Sequence, residues 1–170
     1  MDAKVYDLIN DQINKELYSA YLYLAIADYY ADAGLDGYAN FYTIQAQEER
    51  DHALIFRKYL LENDEVPVLK AIDAPDKEFH DFMEPLKAAY AHEQYVTGLI
   101  DNIYKVASEV HDYRACQFLQ WFIDEQMEEE DTARDMITKM ELFGEDRHSL
   151  YELDVKLQAR AYSAPAKLAE

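Results

Sequence analysis

Gln47-Glu48-Glu49-Arg50-Asp51-His52 decides the fold of this chain. Glu49 and His52 are three residues apart, so on a helix they share one face. They fall near the middle of a segment, about Asp36 to Asn63, whose Tyr38, Phe41, Tyr42, Phe56, Tyr59 and Leu60 form an apolar stripe at helical spacing. A carboxylate and an imidazole that point where those apolar residues point make a two-ligand unit aimed at a core.

Three more long amphipathic segments surround this one. Val5 to Ala33 carries Val5, Ile9, Ile13, Ala20, Tyr23, Ala27 and Tyr30 on its stripe, and Gly34 closes it as a C-terminal cap would. Phe79 to Glu109 carries Leu86, Tyr90, Thr97, Ile100, Tyr104 and Ala107. Asp112 stands where a fourth helix would be capped, and that helix runs to Phe143 with Phe118, Leu119, Phe122, Ala133, Met136 and Met140 in register before Gly144. A shorter fifth helix is expected over 145–162. Helices of about 28 residues extend about 42 Å, so four of them can lie side by side along their whole length. The links near 34–37 and 109–113 are short and join antiparallel neighbours. The link near 64–78, with Pro67 and Pro75, is long enough to cross the bundle and set segments two and three parallel. The expectation is a single all-α domain over 1–170, with an antiparallel four-helix bundle over 5–143, one long crossover and a C-terminal helix.

Composition agrees. Four Gly and four Pro are too few for a chain of short strands and hairpins. Thirty-five acidic against sixteen basic residues give a net charge of −19, which repels a phosphate backbone and leaves nucleic acid out as a partner. The single cysteine, Cys116, excludes an internal disulfide and a cysteine-built cluster, and reads as a buried or half-buried structural thiol. No stretch has the length of a signal peptide's apolar core or of a membrane span, so a soluble, cytoplasmic protein is expected.

Function is written where polar residues interrupt the stripes. Glu16 lies two turns after Ile9 and two before Tyr23; Glu93 lies between Tyr90 and Thr97; Gln126 and Glu129 lie between Phe122 and Ala133. An isolated helical glutamate is ordinarily a solvated surface residue, and Glu48, Asp51, Glu128 and Glu130 are individually read so. For Glu16, Glu49, His52, Glu93 and Glu129 the same reading requires five coincidences with the core stripe on four helices. An unpaired carboxylate in an apolar interior costs several kcal/mol, and four in one layer repel one another. Two multivalent cations remove both penalties, and a glutamate from each of two helices with Glu-x-x-His-type pairs from the others is the di-iron bundle pattern. Carboxylates with one or two imidazoles suit iron or manganese better than zinc.

Glu16-Leu17-Tyr18-Ser19-Ala20-Tyr21-Leu22-Tyr23, Gln47-Glu48-Glu49-Arg50-Asp51-His52, His92-Glu93-Gln94 and the stretch from Gln120 to Glu130 resemble those of ferritins of the non-haem prokaryotic type, over nearly the whole chain. The resemblance implies the ferritin-like fold, iron storage and detoxification, and ferroxidase activity: Fe(II) is oxidised to Fe(III) by O₂, or by H₂O₂, and kept as ferric mineral inside a 24-subunit cage. Residue by residue, it implies that Glu16, Glu49 and His52 form one iron position and Glu49, Glu93 and Glu129 a second, with Glu49 as the bridge. Gln126 would lie beside the pair and contact the oxygen species. Tyr23 would donate an electron or hydrogen-bond a ligand. Glu48, Glu125 and Glu128, sharing Glu129, match a third iron position of this subgroup.

Departures separate the close relatives. Bacterioferritins carry a second Glu-x-x-His where this chain has Gln126 and Glu129, and a haem-binding methionine where it has Arg50, so no haem is expected. Rubrerythrins need a cysteine-rich domain. The small DNA-protecting relatives build their site between subunits, whereas here all candidate ligands lie on one chain. Acidic positions of the animal ferritin three-fold channel correspond to Cys116 and Leu119, against an acidic route there. Two rivals remain: a storage subunit that does not catalyse, and a di-iron oxygenase or peroxidase, which would need a substrate cavity beside the irons. The remaining histidines, His80, His92, His111 and His148, are read as exposed or locally hydrogen-bonded.

Overall fold

The computed structural model describes residues 1–169; Glu170, the last residue of the expected domain, lies outside them. Six helices follow in order: α1 Ala3–Asp32, α2 Asp36–Glu62, α3 Glu84–Glu109, α4 Tyr113–Phe143, α5 Arg147–Gln158 and α6 Ala166–Ala169. No strand occurs among the described residues. α1 packs on α2 and α3 on α4 as two hairpins.

The turns are local and strong. Gly34 adopts φ 79, a conformation that glycine reaches without strain. It lets the Leu35 N–H bond the Tyr30 carbonyl (2.9 Å) and its own N–H bond that of Ala31 (3.0 Å), the doubled closure that ends a helix and reverses the chain. After α3 the same pair of bonds is made by Asp112 to Ala107 (2.8 Å) and His111 to Ser108 (3.1 Å), with His111 at φ 61. Asp112 then accepts from the Ala115 N–H and caps α4, as its position in the sequence predicts.

The crossover occupies 63–83 and runs parallel to α1. Tyr6 donates to the Val66 carbonyl (2.8 Å), Asn10 exchanges two bonds with Val68, and Asn14 donates to the Ala71 carbonyl (2.9 Å). Farther along, Phe79 packs on Tyr29, and Tyr30 donates to the Phe82 carbonyl (2.7 Å). The crossover therefore delivers α3 to the end where α2 began, and the two helices run parallel.

Three boundaries differ from the expectation. α3 begins at Glu84 rather than Phe79, because Asp81 accepts from the backbone N–H of Met83 and Glu84 and Pro85 occupies the first turn. Residues 79–82 are spent on α1 instead. α5 covers Arg147–Gln158 rather than 145–162, and a one-turn α6 follows. The α3 stripe is also shifted: Leu86, Ala89, Glu93, Val96, Ile100, Ile103 and Ala107 are buried, while Tyr90, Thr97 and Tyr104 lie half-buried at its margin. Ala20 and Ala133 are likewise marginal.

The apolar interior is divided in two. One cluster gathers Ile9, Ile13, Phe56, Leu60, Ile100 and Phe122; the other gathers Leu22, Tyr23, Tyr30, Tyr38, Leu86 and Met136. Phe56 stacks on Phe122 at 4.1 Å and Tyr59 on Phe118 at 3.9 Å, so aromatic rings fill the seam between α2 and α4. The stretch between the clusters is polar.

α5 packs Leu150, Leu153 and Leu157 against the second cluster and is joined to the start of α2 by Asp154. Asp154, buried, accepts from the backbone N–H of Gly37 (2.8 Å) and Tyr38 (3.0 Å), supplying the α2 N-terminus with the acceptor that Leu35 lacks. A Cβ on residue 37 would lie 1.7 Å from the Asp154 carbonyl oxygen, so only glycine permits this approach.

Candidate metal centre

Each of the four long helices contributes to the polar layer at the point where its stripe is interrupted. Glu16, Glu49, His52, Glu93, Gln126 and Glu129 are all buried. Apolar residues on either side make each helix bury this face, so the polar side chains have nowhere else to go.

Among the described residues, one group of three potential ligands comes together: Glu16, Glu49 and His52, with one ligand atom of each within 4.8 Å of the others. Glu16 Oε2, Glu49 Oε1 and His52 Nε2 are buried and have no hydrogen-bond partner. Leaving such atoms unsatisfied costs about 1–3 kcal/mol each, a cost that a cation held by this group reduces. The other atoms are held. Glu16 Oε1 accepts from Gln12 Nε2 (2.8 Å), and Glu49 Oε2 lies 3.5 Å from His52 Nδ1. The His52 ring meets Trp121 and Phe122 edge-on. Burial, and then the Glu49 charge, pushes the Glu16 carboxyl well above its ordinary range; burial, and then Glu93 and Glu129, does the same to Glu49. Such carboxyls hold protons that a cation displaces.

Glu93 and Glu129 stand outside that group of three, each held by donors. Tyr23 donates to Glu93 Oε1, and Gln126 Nε2 donates to Glu93 Oε2 at 3.0 Å. Gln45 Nε2 donates to Glu129 Oε2 at 2.7 Å. Burial raises both carboxyls, Glu129 to about 8; Tyr23 and Gln126 pull Glu93 back down, and Gln45 does so for Glu129. A cavity of about 10 Å³, lined by Tyr23, Tyr42, Gln45, Glu93, Glu129 and Ala133 among others, adjoins them.

The residues that the resemblance assigns to a third position lie toward the surface. Glu48 is half-buried and accepts from Arg160 (2.7 Å), Glu125 Oε1 lies 3.8 Å from His52 Nε2, and Glu128 is exposed. The three do not form a ligand group of their own in the structure.

Several participants are missing from the sequence reading. Gln12 and Gln45 are buried four residues before Glu16 and Glu49, a spacing that does signal them. Asp51, read as solvated, is buried and accepts from Gln47 (3.0 Å) and Tyr162 (2.5 Å). His92 is bonded not locally but across to Ser19 on α1 (2.7 Å), and burial, with Lys77 and Lys15, pushes its imidazole down to about 4. Arg160 carries no sequence signal, because its partners lie more than a hundred residues away.

Comparison with known proteins identifies the family. The sequence pattern of the family described as Ferritin-like domain matches residues 6–143. The bacterial non-heme ferritin of Staphylococcus haemolyticus is 39% identical over 156 residues, covering 92% of this chain and 94% of that one. That of Campylobacter jejuni is 35% identical over 163 residues, covering 96% and 98%. Among solved structures, a closed form of the Archaeoglobus fulgidus ferritin engineered by site-directed mutagenesis superposes with a TM-score of 0.94 at 36% identity, covering 96% of this chain and 99% of that one. The open-pore ferritin of the same archaeon gives 0.92 at 37%, covering 95% and 98%. With a polar layer of buried carboxylates on four helices and a family match across the bundle, this chain belongs to the ferritin-like family, among its non-haem ferritins.

Proposed function

We propose that this chain is an iron-storage ferritin subunit and a ferroxidase: Fe(II) is its substrate, oxidised by O₂ at a paired site within one subunit and stored as ferric mineral. The observation that carries this reading is the buried group Glu16, Glu49 and His52, each of which offers a ligand atom within 4.8 Å of the others and keeps one polar atom without a hydrogen-bond partner. Each Fe(II) gives up one electron. Two electrons and two protons take O₂ to hydrogen peroxide, and four of each take it to water.

The chain's residues contribute in distinct ways. Glu16, Glu49 and His52 hold the first iron; Glu49, Glu93 and Glu129 hold the second, with Glu49 between them. Carboxylates are hard, anionic donors, so they favour Fe(III) over Fe(II) and drive the oxidation. Tyr23 and Gln126 fix Glu93, and Gln45 fixes Glu129, so neither ligand has to be reoriented when a cation arrives. Glu48, Glu125 and Glu128 with Glu129 form a third, more exposed position. Twenty-four subunits close the cage, and the protein works in the cytoplasm; no helix among the described residues is long and apolar enough to cross a membrane.

The oxygenase rival needs room for an organic substrate, and the cavity beside Glu93 and Glu129 is about 10 Å³, the size of one water. The non-catalytic rival would do without a pre-formed buried ligand group. Aerobic addition of Fe(II) to metal-free protein separates all three. A rapid rise in ferric absorbance and uptake of far more than three irons per chain are expected. Absence of a rapid phase would refute the ferroxidase, and stoichiometric turnover of an organic substrate would establish the oxygenase. Sedimentation tests the cage.

A further inference from the structure

The segment after α5 runs along α2, past Phe41, Gln45, Glu48 and Asp51. Asn40 Nδ2 donates to the carbonyls of Leu157 and Arg160 (3.1 Å each), fixing where this run begins. Two residues on, Tyr162 donates to buried Asp51 (2.5 Å). Beyond it, Lys167 sits over the Phe118 ring at 5.2 Å, beside the far half of α2. Between these anchors the guanidinium of Arg160 enters the carboxylate cluster. Its Nη2 donates to Glu48 Oε2 (2.7 Å) and Gln45 Oε1 (2.6 Å), its Nη1 to the Phe41 carbonyl (3.3 Å), and its plane lies 4.3 Å over the Phe41 ring.

Two consequences follow from chemistry. Glu48 is the one residue of the third position that already has a full positive charge on it. A divalent cation bound to the same carboxylate would face that guanidinium a few ångströms away, and like charges at that distance repel. The second consequence runs inward. An amide has one acceptor side and one donor side. Arg160 occupies the acceptor side of Gln45, so the donor side must face Glu129, which it does at 2.7 Å. A side chain from a surface segment thereby fixes the orientation of a carboxylate in the polar layer.

We infer that Arg160 is a tethered counter-cation for the third position: it neutralises Glu48 in the metal-free state, positions Glu129 through Gln45, and is displaced, with the segment from Ala159 to Leu168 loosened, when a third cation binds. This rests on the proposal that Glu48, Glu125, Glu128 and Glu129 form such a position. Arg160 is a positioning residue, not a ligand. Its removal should therefore tighten the third site, while any change at the paired site is confined to the second position, whose Glu129 it orients through Gln45.

Zinc, which is not oxidised, tests this by calorimetric titration of the intact metal-free protein, with hydrogen exchange of residues 159–168 followed before and after loading. Arg160→Gln should tighten the third zinc on the order of tenfold, the effect of removing one unit charge about 4 Å away at near-water dielectric. Arg160→Lys, which keeps the charge but not the fork of donors, should fall between. Tyr162→Phe loosens the segment without touching the charge, so it should raise exchange and tighten the third zinc by clearly less than Arg160→Gln does. In the wild-type chain, loading the third zinc should raise exchange over 159–168. Equal third-site affinity in wild type and Arg160→Gln would overturn the inference, as would unchanged exchange on loading or a tightening in Tyr162→Phe as large as in Arg160→Gln. Failure of every variant to bind a third zinc would instead refute the third position, and loss of the two tighter zincs would refute the paired site.

Discussion

The Tyr23 hydroxyl, on α1, donates a hydrogen bond to Glu93 Oε1 on α3, seventy residues along the chain. Both side chains are buried. Burial raises the Glu93 carboxyl, and this bond is the first of the contacts that hold it down. Tyr23→Phe removes the donor while keeping the ring against Tyr42 and His92. Glu93 should then titrate higher, hold its proton more tightly against an incoming cation, and weaken the second iron position by up to about tenfold, the value of one hydrogen bond. Stopped-flow ferric absorbance should show a slower rapid phase with the first position's affinity kept. An unchanged rate would show that the bond is structural only.

Glu49 joins the two halves of the layer. Its Oε1 is unpartnered, its Oε2 lies 3.5 Å from His52, and its carboxyl is pushed well above the ordinary range chiefly by burial and then by Glu93 and Glu129. Glu49→Ala should reduce the rapid phase by about 100-fold or more, at or beyond the upper end of what loss of an outer-shell contact costs. The same change relieves the crowding of buried carboxyls, so the metal-free protein should unfold at a temperature no lower than wild type despite the cavity. Unchanged oxidation kinetics would remove Glu49 from the bridging role.

How much of this was legible in the sequence depends on how far each partner lies. Glu16, Glu49, His52, Glu93 and Glu129 stand out because a helix repeats its faces every three to four residues, so a polar residue on an apolar stripe is visible within its own helix. The α3 register slipped because Tyr90, Thr97 and Tyr104 mark the edge of the buried face as convincingly as Ala89, Val96 and Ile103 mark its centre. The early α3 boundary failed because the cap is Asp81, two residues before the helix cap position, with Phe79 and Phe82 committed to α1. Asp51 and Arg160 were not legible at all. Each is explained by a partner across more than a hundred residues, which no local period encodes.

Metal removal should make stability depend on pH in an unusual direction. In the unfolded chain Glu129 titrates near the ordinary value of 4.5; folded, burial raises it to about 8. Between these values the native state holds a proton that the unfolded state has lost, so stability falls as pH rises from about 4.5 and levels above about 8. The acid side of this window is the stable side for this group. Glu129→Gln cannot ionise and should flatten the loss, so the difference in unfolding temperature between variant and wild type should grow in the variant's favour from pH 5 to pH 8. Adding zinc to the wild type should flatten the curve as well. A pH-independent difference would place the Glu129 titration near that of an ordinary surface carboxyl.

Asp154 and Gly37 form the joint between α5 and the bundle. Asp154→Ala leaves the backbone N–H groups of Gly37 and Tyr38 without their acceptor and removes a negative charge from the start of α2, a loss of about 1–2 kcal/mol. Gly37→Ala places a methyl 1.7 Å from the Asp154 carbonyl oxygen, so α5 must move. Both variants should show fast hydrogen exchange over Arg147–Gln158 with the α1 to α4 bundle still protected. Gly37→Ala should be the worse, because Asp154→Ala weakens the contact while Gly37→Ala forbids it.

His111 closes α3 at φ 61, where a side chain's Cβ crowds the backbone and glycine's absence of one does not. Its ring is exposed and touches only the Tyr113 ring edge-on at 5.9 Å among aromatic contacts, so little packing is lost on removing it. His111→Gly should relieve about 1 kcal/mol of left-handed strain, reduced by the extra freedom that glycine gives the unfolded chain. Gly34, at φ 79 in the equivalent turn after α1, shows the solution the chain already uses. The reverse change there, Gly34→Ala, should destabilise by about the same amount although nothing lies within 4 Å of the added methyl, since the penalty is conformational and not steric contact with a neighbour. Denaturant midpoints at fixed protein concentration should move in opposite directions for the two variants. If both moved downward, the His111 side chain would be contributing a contact worth more than the strain it imposes.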